Sequence, residues 1–370
     1  MALRKPPLRE VHAERGAKFT EFGGWDMPVE FDSIRAEHQA VREAAGIFDV
    51  SHMSEIEVSG PDAETLMGRL TTNDVTALDP GEAQYSAITD EHGTILDDTV
   101  VYRLPEGSDA DYLFVPNAGH GEWMHERWTD YRDDHDLDAV VEDATEEYAM
   151  FALQGPDALA LASKVADEDL RSLTRFSARW VDLDGPDGSV ETLVARTGYT
   201  GEDGVELLVP WRAAETVWEQ FVPEATPCGL GARDTLRIEA GFLLSGQDFD
   251  HESNPRNPYE AGIGFVVKLD TEFVGRDALE QAREEGTDER FVGFKLTERG
   301  VPRHGYDIVN TENRVIGEVT SGTMSPTLGQ PVGMGYLPTD YADPGTTVRV
   351  VVRGQQKKAR IQPLPFYERQ

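Results

Sequence analysis

Hydrophobic and polar positions in residues 96–104 alternate with the period of a half-buried strand. Leu96, Asp98, Val100 and Tyr102 fall on one face; Asp97, Thr99, Val101 and Arg103 fall on the other. The turn Asp90-Glu-His-Gly93 joins this strand to another over 84–89, and similar patterns predict strands over 112–115, 192–197 and 205–210. Helical spacing predicts a helix over 33–45, capped by Ser33 and stopped by Gly46. Further helices are predicted over 120–131, 213–221 and 235–242. A strand ending near Ser59 runs into Gly60-Pro-Asp-Ala63, which opens a helix. The same junction recurs as Gly155-Pro-Asp-Ala158 and more loosely as Gly275-Arg-Asp-Ala278. This reads as internal similarity between strand–helix units; coincidence of helix-start chemistry is the alternative.

The polar stretch 280–290 reads as the principal linker. Beyond it come short strands over 291–296, 306–309, 314–318, 332–336 and 347–352, a pattern that fits a compact β-barrel of roughly 80 residues. The expected division is therefore 1–280 and 288–370, in an α+β chain too long for one simple core.

Charge changes this picture in one respect. The net charge is −35, from 69 acidic against 34 basic residues, and only 34 − 7 = 27 arginines and seven lysines balance the acids. The acids are spread through every segment, which predicts a whole surface adapted to a salt-rich cytoplasm. At about 1 M salt the Debye length is about 3 Å, so the self-repulsion is screened; dilute buffer should destabilise the fold. Nucleic acid is a poor partner for such a surface. No run of about 18 apolar residues predicts a membrane span, and the N-terminal residues lack the apolar stretch of a secretory signal. The single Cys228 excludes an internal disulfide and reads as a small buried apolar side chain. His120 and His125 do not have the i, i+4 spacing that stacks two ligands on a helix, so no metal is expected. The glycine-rich turns lack the context of a dinucleotide site.

Two places carry candidate chemistry. Asp98 shares a strand face with Leu96, Val100 and Tyr102, where a carboxylate is costly unless paired or used, and where its pKa tends upward. Capping of a neighbouring backbone group is the alternative. Residues 196–207, Arg-Thr-Gly-Tyr-Thr-Gly-Glu-Asp-Gly-Val-Glu-Leu, read as two extended runs around a glycine-rich turn, which holds Glu206 just beyond it with Tyr199 nearby. A surface hairpin with a solvated glutamate is the plain reading.

That string resembles the folate-site hairpin of aminomethyltransferases, the T-protein of the glycine cleavage system. Phe22-Gly-Gly-Trp-Asp-Met-Pro-Val-Glu-Phe31, Phe48-Asp-Val-Ser-His-Met53, Thr94-Ile-Leu-Asp-Asp-Thr-Val-Val-Tyr102, the segment 229–241 and Pro365-Phe-Tyr367 are similar to that family's motifs in the same order. The resemblance covers residues 6 to 368. It implies a three-unit cloverleaf fold, two interwoven α+β units followed by a C-terminal barrel. It also implies transfer of an aminomethyl group from the lipoyl arm of the carrier H-protein to tetrahydrofolate, with release of ammonia and formation of methylenetetrahydrofolate. The implied partners are the lipoylated H-protein and the other glycine cleavage components.

By the same resemblance Asp98, the second Asp of the pair, is catalytic, and Asp97 is its solvated or structural neighbour. Glu206 would accept the two parallel donors of the pterin ring. Tyr85, Tyr102 and Tyr199 would supply flat contact and hydroxyls. Asn117, Arg233 and Tyr367 match folate-contacting positions, and Met53 and Val100 would line the pocket. Arg233 could instead pair with Glu239 or Asp234. Three positions depart from the family: His120 and Ser245 stand where it has asparagine and tyrosine, and Phe265 where it has tryptophan. Rival readings on the same fold are a folate-dependent demethylase, a folate domain like those of dimethylglycine and sarcosine oxidases, and a folate-binding iron–sulfur assembly protein. The last carries a cysteine in its Gly/Tyr signature, which Arg196-Thr-Gly-Tyr-Thr-Gly-Glu202 lacks.

Overall fold

A computed structural model describes residues 2–166, 168–186 and 188–369. The chain divides into two compact units. One comprises Met1–Ser86, Asp97–Gly198 and Glu202–Arg233; the other comprises Ala87–Leu96, Tyr199–Gly201 and Asp234–Gln370.

Two sheets dominate the first unit, and their strand orders explain the recurring Gly-Pro-Asp-Ala junction. In the five-stranded sheet the order is Ala83–Thr89, Ile95–Arg103, Tyr112–Phe114, Ile56–Ser59, Val140–Asp143. In the six-stranded sheet it is Ala178–Leu183, Val190–Ala195, Gly204–Pro210, Tyr148–Gln154, Gly46–Asp49, Thr226–Cys228. Without Gly46–Asp49 the two sheets follow the same order of appearance along the chain. In each, the first strand in sequence runs into a helix, Ala63–Leu70 or Ala158–Val165. A 3-10 turn follows, whose Asp74 or Asp169 carboxylate accepts the backbone N–H two residues on. The internal similarity is thus a repeated unit, with one extra strand inserted in the second copy.

The second sheet buries one face of Gly204–Pro210. Val205, Leu207 and Val209 join Phe151, Leu153 and Trp218 in a closed core, which leaves Glu206 and Leu208 for the opposite face. Ahead of both sheets, Lys18–Phe22 and Trp25–Glu30 form a hairpin turned on Gly23 and Gly24. Both glycines have positive φ, +56° and +85°, the requirement of a two-residue turn that matches strand twist.

Ser33 caps the helix Ile34–Glu43 as expected, its Oγ accepting Ala36 N–H at 3.3 Å; the helix stops at Ala44, and Gly46 instead opens a strand. The helix expected over 235–242 begins earlier, at Leu230. Gly229 just before it and Gly231 in its first turn serve close approach: a Cβ on Gly229 would lie 2.4 Å from Val29 O, and one on Gly231 would lie 2.6 Å from Ile34 Cδ1.

In the second unit a closed barrel runs Glu289–Leu296, Gln330–Pro338, Val315–Ser325, Asp307–Val309, Thr347–Val352, Gln355–Gln362 and back to the first. The stretch 280–290 is no linker. It is the end of the helix Arg276–Glu285 and the start of the first barrel strand. The strand foreseen over 314–318 extends to Ser325, with a bulge between Val319 and Ser321.

Candidate active site

On Ile95–Arg103 the alternation holds with an informative asymmetry. Asp97, Thr99 and Val101 are buried, whereas Asp98 and Val100 on the opposite face are partly open. The expectation that Asp97 could be solvated is therefore wrong: its carboxylate is fully buried. The reason lies just past Tyr112–Phe114, where Asn117 supplies donors. Its backbone N–H reaches Asp97 Oδ2 at 3.1 Å, and its amide nitrogen lies 2.8 Å from Asp97 Oδ1 and 2.7 Å from Asp98 Oδ1. One side-chain amide thus holds two adjacent carboxylates.

Tyr85, on the neighbouring strand, donates its hydroxyl to Asp98 Oδ2 at 2.5 Å. Burial, and then the Asp97 charge beside it, push the Asp98 pKa up to about 6; the bonds from Tyr85 and Asn117 pull the other way. A carboxylate so placed is ionised at neutral pH, yet is more basic than an ordinary aspartate. That combination suits a proton acceptor.

Farther along the same face, Tyr102 is fully buried, and its hydroxyl lies 3.2 Å from Thr197 Oγ1. Thr197 in turn donates to Glu206 Oε2 at 2.5 Å. Burial and the Glu206 charge push the Tyr102 pKa well up, so it remains a neutral hydroxyl. Burial raises Glu206 as well, and Thr197 and the Arg233 guanidinium pull it back. Arg233 thus acts on Glu206, while Asp234 pairs with Arg237 at 2.9 Å and Glu239 holds Ser325 and Thr327. The loop between the two strands is closed by Arg196, which grips both oxygens of Asp203 at 3.0 and 2.8 Å. Of its glycines only Gly201 has positive φ. Gly198 and Gly204 are required for space, since a Cβ on either would strike Gln154 or Leu153.

Met53 is partly open, and the next residue ties its segment to the asparagine loop: Ser54 N–H bonds Pro116 O at 3.3 Å. Eight of the expected residues thus belong to the first unit: Met53, Tyr85, Asp98, Val100, Tyr102, Asn117, Glu206 and Arg233. Two belong to the second. There Tyr199 stacks on Phe242, with ring centroids 5.6 Å apart, and donates its hydroxyl to Leu243 O. Tyr367 is anchored by its N–H to Glu239 O at 2.9 Å, and its ring edge lies 4.0 Å from where a Cβ on Gly201 would be. Phe265, one of the departures, is two-thirds exposed.

Sequence reasoning missed the groups that orient the others. Thr197 lies inside the glycine-rich string, but nothing local marks it as the bridge to Glu206. Gln154 donates to Thr197 O at 3.1 Å and Val205 O at 3.3 Å, across two strands. His52 is fully buried, and burial with the Arg233 charge pushes its pKa down to about 3, so it is neutral. Among the described residues no group of three or more His, Cys, Asp or Glu side chains could hold a metal ion. A surface groove of about 530 Å³ is lined by Glu57, Tyr148, Trp180 and Arg212, and by none of the expected site residues.

Among the described residues no helix is long and apolar enough to cross a membrane. Residues 8–271 match the family described as GCVT N-terminal domain, and residues 289–368 match the glycine cleavage T-protein C-terminal barrel domain. The chain is 62% identical over 368 residues to a probable aminomethyltransferase of Natronomonas pharaonis, covering all of both chains. Halophilic archaea are thus among its relatives. It is 46% identical to the aminomethyltransferase of Rubrobacter xylanophilus, covering 99% of this chain and 95% of that one. The glycine cleavage system aminomethyltransferase T of Bartonella henselae superposes with a TM-score of 0.90 at 31% identity, covering 99% and 98% of the two chains. With its α+β sheets, its closed C-terminal barrel and these matches along its whole length, the chain belongs to the aminomethyltransferase family of the glycine cleavage T-protein, tetrahydrofolate-dependent enzymes.

Proposed function

We propose that the chain takes an aminomethyl group from the lipoyl sulfur of a carrier H-protein and passes its methylene carbon to tetrahydrofolate. Two folate nitrogens each form a bond to that carbon, while its bonds to the amine nitrogen and to sulfur break. The two folate N–H protons end on the departing ammonia and on the lipoyl thiol, so the exchange balances without any redox partner. Asp98 accepts the proton released as the first C–N bond forms and hands it on to the leaving amine. Its basicity comes from burial and from Asp97; its orientation comes from Tyr85 and Asn117. Glu206, steadied by Thr197, takes the paired donors of the pterin ring. Arg233, Met53, Val100, Tyr102, Tyr199 and Tyr367 complete the folate contacts. Holding both reactants together supplies much of the remaining acceleration. The other glycine cleavage components and a cytoplasmic setting belong to the same reading, as does a division of the chain at about residues 280–288.

The observation that supports this most is the Asp98 carboxylate. It is held at both oxygens on the partly open face of a strand, and burial and the neighbouring Asp97 charge raise its pKa. The test is ammonia release in high salt from aminomethyl-loaded carrier and tetrahydrofolate. Asp98→Asn is expected to keep folate affinity within a few-fold and to lose on the order of 10²–10⁴ in turnover, the usual scale of one general base. Near-wild-type turnover would refute the assignment. Ammonia released from a methylated amine without carrier would transfer the reading to the demethylase branch.

A further inference from the structure

His120 lies at the start of the helix Gly121–Asp134, on the same loop as Asn117. Its backbone N–H bonds Asn117 O at 2.9 Å, and Gly119 between them has φ +84°. The helix start is pressed against Ser54: a Cβ on Gly121 would fall 2.2 Å from Ser54 Oγ. The backbone that carries the imidazole is therefore held in place. Its Nδ1 lies 3.2 Å from Asp97 Oδ1, the same oxygen that accepts the Asn117 amide, and its ring packs edge-on against Trp123 at 5.6 Å. The ring is about a quarter exposed, so it exchanges protons with solvent, whereas Asp97 is sealed.

We propose that His120 is a positioning residue that couples solvent pH to the charge on Asp98 through Asp97 and Asn117. This rests on the catalytic reading of Asp98. Asp97 and Asp98 on Ile95–Arg103 and Tyr85 on the adjacent strand touch the cluster; the hairpin packed against Ala118 carries Glu21, the segment ahead of Ser54 carries the neutral His52, and the helix carries the exposed Glu122 beside the uncharged Trp123. With the imidazole protonated, its charge offsets that of Asp97, and Asp98 ionises more readily. With it neutral, the repulsion of Asp97 acts on Asp98 undiminished. A pair this close and this shielded from solvent is little screened by salt.

The experiment is the pH profile of kcat/KM for tetrahydrofolate in high salt, for wild type, His120→Asn, His120→Lys and Asp98→Asn. Loss of the charge in His120→Asn is expected to move the midpoint of the acid limb up by roughly half to one pH unit, leaving the neutral plateau within a few-fold. His120→Lys, which keeps a cation, should restore the wild-type midpoint or lower it. His120→Gln serves as the neutral variant if the asparagine form does not fold. An unmoved limb in the neutral variant, with Asp98→Asn inactive, overturns this inference alone. A limb raised equally in the lysine variant overturns it too, because the effect would then be disruption rather than charge. Near-wild-type turnover in Asp98→Asn overturns both readings.

Discussion

Asp98 in the first unit and Asp248 in the second are both aspartates gripped by several donors, yet they are built for opposite ends. Asp248 is fully buried and meets Arg237 Nη1 at 2.7 Å, Leu244 N–H at 2.9 Å and the hydroxyls of Ser321 and Thr320. Arg237 is equally buried and spends its remaining donors on Asp234, Phe242 O and Ser321. Every charge there has its counter-charge within the cluster. Asp98 has donors too, from Tyr85 and Asn117, but its nearest charged neighbour is another carboxylate, and its face is partly open. Counting hydrogen bonds does not separate the two. The sign of the neighbouring charge does: compensation closes a carboxylate into the structure, and its absence keeps one available for protons.

The largest stability effect should come from breaking the compensated site. Arg237→Met keeps the volume but strands Asp248 without its cation in the interior. Unfolding in high salt should show a loss of about 3–5 kcal/mol, the usual scale for removing one partner of a buried pair. A loss below 1 kcal/mol would mean that the hydroxyls alone carry Asp248, and the contrast with Asp98 would fail.

A smaller effect, of opposite sense, belongs to Asp98. Its folded pKa, about 6, lies above the ordinary 3.8. Its contribution to stability is therefore fully present below pH 4 and lost as pH rises through 6. Two pKa units correspond to up to about 3 kcal/mol. Asp98→Asn, which has no proton to lose, should gain on wild type by up to that amount between pH 4 and pH 7, measured by denaturant unfolding at fixed high salt. A flat difference across that window would show that the carboxylate is not held in its protonated form by the fold.

What the sequence disclosed follows the same division between local and non-local causes. Period-two alternation placed Asp98 correctly, because the face of a strand is a property of the strand itself. It could not choose for Asp97 between a solvated and a structural neighbour; the structural one holds, because Asn117, twenty residues on, supplies the donors. The strand expected over 314–318 runs on to Ser325 through polar residues; Thr320, Ser321 and Ser325 are buried because the first two meet Asp248 and the third meets Glu239, all more than 70 positions away. The helix expected over 235–242 starts five residues earlier for a related reason: Gly229 and Gly231 there serve close approach to Val29 and Ile34, which only the folded chain shows. The proposed folate positions come from ordered motifs, while nothing in the sequence marks Thr197 and Gln154, which support their segment. Supports are chosen by geometry that only the folded chain possesses.

Thr197 offers the finest test of that division, because its hydroxyl lies between a neutral phenol and a buried acid. Its proton goes to Glu206 Oε2, so Tyr102 must donate to Thr197, which gives a directed chain ending on the carboxylate. Thr197→Val removes the link without changing the shape of the side chain. Glu206 then loses a donor that favours its charged form, and its pKa should climb further. Stability should fall by about 1 kcal/mol, the net worth of one such bond. Folate affinity should weaken about tenfold, or about 1.4 kcal/mol, while turnover at saturating folate changes far less. Isothermal titration with tetrahydrofolate beside steady-state rates separates the two. If turnover collapsed while affinity held, Glu206 would belong to the chemistry rather than to the grip on the pterin, and the uncompensated aspartate would no longer be the sole centre of proton transfer.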